Sequence, residues 1–192
     1  MPKTVGVLAL QGDFREHIEA LNEIDGVEAR PVKTRAQIEA CDALVIPGGE
    51  STTIGKLMER FEIDAPVREM AEAGKPIWGT CAGMIILAKD IVASDQWRLG
   101  IMDITVERNA FGRQVDSFEV DLPVKGIDEP VRAIFIRAPY VREVREECGV
   151  EVLATFEDKI VLCRQGNLLA SAFHPELTDD RRVQVYFLAM MD

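Results

Sequence analysis

The chain has 192 residues, enough for one domain with a sizeable core and no need of disulfide staples. Its formal net charge of −11 opposes a nucleic-acid-binding surface or an anionic membrane partner, and no apolar run reaches the length of a membrane span. Cys41, Cys81, Cys148 and Cys163 form no Cys-x-x-Cys pair and Met1-Pro2-Lys3-Thr4 begins no signal-peptide layout, so the expectation is a soluble cytoplasmic protein with reduced thiols and no metal.

The first half alternates strand and helix signals. Residues 4–10 read as an apolar strand, 13–23 as a helix and 27–32 as a weaker strand. Thr34 is placed to cap a short helix through Ala40. A buried strand over 43–46 ends at Pro47-Gly48-Gly49, and Ser51 or Thr52 then opens a helix towards Phe61. A further helix is predicted over 64–73, with Pro66 tolerated in its first turn and Gly74 as its stop. Alternation of this kind implies a parallel sheet with helices on both faces.

The second half reads as strands at 101–107, 117–121, 131–136, 152–156, 160–165 and 168–172, divided by turn signals such as Gln165-Gly166-Asn167. They suggest mixed or antiparallel additions to the sheet. Thr178 is expected to cap a last helix over 179–191, with Arg181 and Arg182 in its first turn, against the dipole preference and so expected to pair with nearby acids. The fold class expected is α/β: a three-layer sandwich around a mostly parallel sheet, all 192 residues forming one domain.

Ile77-Trp78-Gly79-Thr80-Cys81-Ala82-Gly83-Met84 carries the chemistry. An apolar run, then Gly-x-Cys-x-Gly, then a helix-compatible segment is the pattern of a nucleophile elbow with sulfur in place of oxygen. Small residues are needed because the turn is tight and the backbone passes close to its neighbours. A thiol at a helix N-terminus meets free N–H groups and a favourable dipole, which promote the thiolate. A nucleophile needs a base, and the chain has only two histidines. His174 follows an apolar strand at the point where Pro175 stops sheet pairing, with Glu176 two residues on. In an extended segment those two side chains point the same way, so Glu176 can bond one ring nitrogen and leave the other for the thiol. His17, beside Arg15 and Glu16, reads as a solvated surface histidine. Pro47-Gly48-Gly49-Glu50-Ser51-Thr52-Thr53 is a second signal, a glycine turn whose N–H groups suit a developing oxyanion; it lacks the Gly-Lys-Ser/Thr ending of a nucleotide loop.

With these residues in place the chain resembles the triad, or class I, glutamine amidotransferases. Within them it is similar to the PdxT/SNO family of glutaminase subunits of pyridoxal 5′-phosphate synthase. The resemblance spans nearly the whole chain. It rests on Leu10-Gln11-Gly12, Arg15-Glu16-His17, the glycine turn, the elbow, the segment from Glu107 to Phe118, Phe135-Ile136-Arg137-Ala138-Pro139 and Phe173-His174-Pro175-Glu176-Leu177-Thr178. Asp13-Phe14 and Ala110 stand where that family's pattern is expected to vary. The resemblance implies a flavodoxin-like fold and hydrolysis of L-glutamine to glutamate and ammonia, with the ammonia passed to a PdxS/SNZ-type synthase subunit in a large hetero-oligomer. It implies a Cys81–His174–Glu176 triad and oxyanion donors at Gly49 and Ala82. Glutamine contacts are implied at Gly49, Glu50, Ser51, Arg108, Ile136 and Arg137, with no cofactor. Because a misoriented Gly49 peptide would silence the site, a free subunit of low activity whose glycine turn is reorganised on docking is expected, and the family is similar in depending on its partner. The rivals are a glutaminase subunit for histidine or purine synthesis and a cysteine-elbow protein outside the amidotransferases.

Overall fold

The computed structural model describes residues 2–109 and 117–191; 110–116, within the Glu107-to-Phe118 segment named above, lie outside the described residues. The first half runs β1 (Lys3–Leu8), α1 (Phe14–Asn22), β2 (Val27–Val32), α2 (Arg35–Glu39), β3 (Ala43–Ile46), α3 (Ser51–Arg60), α4 (Asp64–Glu72), β4 (Ile77–Thr80) and α5 (Ala82–Leu87). Every residue of β3 and β4 is buried, which is why these strands read as unbroken apolar runs. Local chemistry sets the helix starts. Thr34 accepts from Gln37 N while the Gln37 side chain reaches back to the cap, a capping box. Helix α3 opens at Ser51, as expected, and its cap is Glu50, whose carboxylate accepts from Thr52 N and Thr53 N.

The second half adds β5 (Ala88–Ile91), β6 (Met102–Glu107), β7 (Ser117–Leu122), β8 (Val131–Ile136), β9 (Tyr140–Val144), β10 (Val150–Phe156), β11 (Lys159–Gln165), β12 (Leu168–Ser171) and α6 (Arg182–Ala189). Among the described residues the main sheet has the order β2-β1-β3-β4-β12-β11-β9-β6-β5, with β10 paired to β11. Strands β2, β1, β3, β4 and β12 are mutually parallel, while β11, β9 and β6 join by antiparallel pairing. β7 and β8 form a separate antiparallel hairpin.

Alternation along β4 shows the helices on both faces. The Trp78 ring packs on Phe187 of α6 and edge-on to His17 of α1. The next residue, Gly79, faces Leu87 and Gly83 of α5 instead. The hairpin is fastened to the sheet by aromatic stacking: Phe118 and Phe135 lie 4.7 Å apart, and Phe135 meets Phe173 at 5.7 Å. His174 N donates to Ile134 O at 2.8 Å, so β8 and the end of β12 are locked together.

Two expectations change and one holds. The last helix opens at Arg182, not Asp179, because Pro175–Leu177 forms a 3-10 turn and Thr178 Oγ1 accepts from Asp180 N rather than capping a helix. Arg181 and Arg182 are paired, with Glu23 and Asp180 respectively. Strands β5 and β9 join the sheet without having been foreseen. No helix among the described residues is long and apolar enough to cross a membrane.

Candidate active site

The strand order 2-1-3 puts a switch in chain direction between β1 and β3, and ligands in such sheets sit beyond the carboxyl ends of the strands at that point. The turns after β1, β3, β4 and β12 carry Gln11 and Asp13, Gly48–Ser51, Cys81 and His174, and all of them line one cleft of about 490 Å³. Ala82, Arg108, Ile136 and Arg137 line it as well, so the residues singled out in sequence converge there. Glu176 does not line the cleft; its side chain is fully buried behind His174.

Cys81 closes the β4–α5 turn at φ 49°, ψ −103°, a conformation L residues seldom adopt. The turn is pinned on both sides: Cys81 N donates to Ser171 O at 2.8 Å, and Cys81 O accepts from Met84 N at 3.1 Å. The flanking glycines are required by close approach. A Cβ on Gly83 would overlap Ile46 O, and one on Gly79 would overlap Gly83 O. A Cβ on Gly48 would come within 2.7 Å of His174 Cε1, so the glycine turn and the imidazole are in contact. Gln11 steadies the same turn, its Oε1 accepting from Glu50 N at 2.8 Å.

His174 is the junction. Glu176 Oε1 lies 2.6 Å from its Nδ1, and Asp13 Oδ2 lies 3.1 Å from the same atom. That leaves Nε2 unengaged by either carboxyl, with Cys81 and His174 lining the same cleft. The pairing with Glu176 arises differently from the extended geometry expected, since Pro175 starts a 3-10 turn that curls Glu176 back toward the ring. Burial works to lower the His174 pKa, but hydrogen bonds with Asp13, Cys81 and Glu176 outweigh it and raise it to about 12. Burial raises Glu176 to about 8 against the pull of His174. Asp13 is held below the usual carboxylate range: its own burial opposes this, and its hydrogen bonds with His174 and Glu176 prevail. Asp13, His174 and Glu176 could in principle chelate a cation, but a 2.6 Å contact between two donor atoms is closer than the roughly 3.3 Å that tetrahedral ligands of one zinc ion keep.

His17 corrects the sequence reading. It has no exposed surface; its Nε2 sits 3.0 Å from Thr80 Oγ1 and 3.5 Å from Glu176 Oε2. Burial lowers its pKa to about 4, so it is a neutral imidazole packed behind the site. Gln96 was not singled out in sequence: it accepts from Arg108 Nη1 at 2.8 Å and donates to Ser51 Oγ at 3.1 Å. It lies in an irregular segment with no periodicity or motif to mark it. Arg137 sits at φ 42°, a second strained backbone position in the wall of the cleft.

Such a site brings a thiol and an imidazole to one cleft, with a carboxyl behind the imidazole and the backbone of the glycine turn and of the α5 start lining the same space. Arginines at the far wall suit a carboxylate-bearing ligand. Comparison with known proteins agrees. Residues 7–192 match the model of the SNO glutamine amidotransferase family. The chain is 61% identical over 189 residues to pyridoxal 5′-phosphate synthase subunit PdxT of Moorella thermoacetica, covering 97% of this chain and 98% of that protein. It is 59% identical to the PdxT subunit of Desulforudis audaxviator, covering 98% of each. A crystal structure described as a glutamine amidotransferase superposes with a TM-score of 0.92 at 55% identity, covering 97% of this chain and 98% of that one. PurLQS of Thermotoga maritima shares the fold at a TM-score of 0.74 and 19% identity, over 100% of this chain and 99% of that one.

Proposed function

The chain belongs to the SNO glutamine amidotransferase family, and from that premise we propose how it works as the glutaminase subunit of a pyridoxal 5′-phosphate synthase. It hydrolyses L-glutamine to L-glutamate and ammonia, and Cys81, His174 and Glu176 are its catalytic triad. The Cys81 thiolate attacks the side-chain amide carbon of glutamine. Backbone N–H groups of Gly49 and Ala82 hold the oxyanion. His174 gives its proton to the departing ammonia, leaving a γ-glutamyl thioester on Cys81. It then takes a proton from water, whose oxygen attacks the thioester and frees glutamate and the thiol. Forming the thioester removes one of the interactions that raise the His174 pKa, that with Cys81, so its proton affinity falls at the step where it must act as a base.

Glutamine contacts fall to Gly49, Glu50, Ser51, Arg108, Ile136 and Arg137, with an arginine forking onto the α-carboxylate and Glu50 near the α-ammonium. Ammonia goes to a PdxS/SNZ-type synthase subunit in a large hetero-oligomer. The whole chain acts as a single glutaminase domain in the cytoplasm, consistent with four unpaired cysteines. Docking of the synthase adjusts the Gly48–Gly49 turn and so raises activity.

The observation that carries this reading is the placement of Cys81 and His174 on one cleft, with Glu176 at the imidazole Nδ1. The test is glutamate release by the subunit mixed with purified synthase subunit, alongside Cys81→Ala and His174→Asn. Near-complete loss in both variants, with unchanged circular dichroism, is expected. Equal turnover with and without synthase would refute the activation step. Stimulation only by a synthase of histidine or purine formation would refute the acceptor.

A further inference from the structure

Asp13 has no part in the mechanism above, yet it touches the base. His174 Nδ1 has one hydrogen to give and faces two carboxyl oxygens, at 2.6 Å from Glu176 and 3.1 Å from Asp13. Asp13 is also the N-cap of α1, where an aspartate ordinarily accepts from the first turn, and here it makes no such bond. Its carboxylate is turned away from the helix to His174 instead. Its main-chain N donates to Gly48 O at 3.2 Å, tying it to the glycine turn, and its Oδ1 is buried with no hydrogen-bond partner.

Ligand atoms of Asp13, His174 and Glu176 all lie within 4.8 Å of one another. Two bare carboxylates so close, beside a single cation, repel; a proton on one of them relieves this. Glu176 has no exposed side-chain surface, whereas that of Asp13 is 21% exposed. The charge therefore rests on the wetter group and the proton on the drier one. The opposite displacements of the two carboxyl pKa values agree with this division.

Resting on the glutaminase reading above, we propose that Asp13 is a positioning residue: beside a protonated Glu176, it carries the negative charge facing His174 and holds the imidazole for Cys81. The other titratable groups around it are His174, Glu176 and the neutral His17, with Cys81 across the ring. Loss of the Asp13 charge therefore lowers the proton affinity of His174.

The experiment is ¹⁵N-histidine NMR titration of the full chain, in which only His17 and His174 contribute signals, in wild type, Asp13→Asn and Asp13→Glu. His174 in Asp13→Asn is expected to deprotonate at least about one pH unit below wild type, with Asp13→Glu restoring part of the difference. With the synthase subunit present, the basic limb of kcat/KM moves down with it, and kcat falls about tenfold while KM barely changes. A His174 titration in Asp13→Asn that overlays wild type overturns the inference and leaves the glutaminase reading intact. Glutamine hydrolysis that survives Cys81→Ala removes that reading and the role of Asp13 with it.

Discussion

His17→Gln tests whether the buried imidazole behind the site is neutral. Burial lowers the His17 pKa from 6.5 to about 4, so between those values the unfolded chain binds a proton that the native protein does not. Stability therefore rises with pH across this window and is lost as pH falls from 6.5 towards 4. At about 1.4 kcal/mol per pH unit, the loss attributable to this one group is about 3 kcal/mol, a large fraction of a typical domain's stability. The ring is wholly buried, so no solvent screening reduces the figure. Urea denaturation of wild type and His17→Gln, followed by fluorescence at several values between pH 7 and pH 4.5, provides the measurement. The substitution removes the Thr80 contact and shifts the curve by a constant amount; the informative quantity is the difference in slope. Wild type is expected to lose midpoint denaturant concentration on acidification much faster than His17→Gln. Parallel curves for the two proteins would refute a neutral His17 and return it to the solvated role that its neighbours Arg15 and Glu16 suggest.

Gly48→Ala brings a methyl group to 2.7 Å from His174 Cε1, so kcat is expected to fall by about 10² with little change in melting temperature, measured by glutamate release and thermal denaturation. Gln96→Ala frees both Ser51 and Arg108, and steady-state kinetics should show KM rising several-fold at nearly constant kcat. Gly83→Ala meets the main chain at Ile46 O, a contact no side-chain rotation relieves; a loss of about 1–3 kcal/mol in urea denaturation is expected, together with loss of activity.

How much of this was legible in sequence depended on burial. Strands β3 and β4 are covered on both faces, so they had to be apolar throughout and stood out between Pro, Gly and Asp. Strand β9 keeps one buried residue and exposes Arg142 and Glu143, and β5 exposes Lys89; neither forms a run that composition can detect. The His17 error had a usable warning. His17, Ala20 and Leu21 follow the three- and four-residue spacing of one buried helix face, a stronger signal than the charge of the adjacent residues. No comparable signal existed for Asp13, whose contact with His174 spans 161 positions and depends on the β1 and β12 turns reaching the same edge.

The Glu176 case shows that the right partner can be inferred from the wrong geometry, and that the difference has electrostatic consequences. Two residues beyond a strand end, in extended chain, a glutamate would stand at the rim of the sheet beside His174, in contact with water and ionised near neutrality. Pro175 instead fixes the backbone for a 3-10 turn. The carboxyl is drawn inward to 2.6 Å from Nδ1 and loses all exposure. Its pKa rises because of that burial, whereas an exposed glutamate beside an imidazolium would move the other way. Pro175, by opening that turn beyond β12, therefore determines both that Glu176 reaches the base and that it does so out of contact with water.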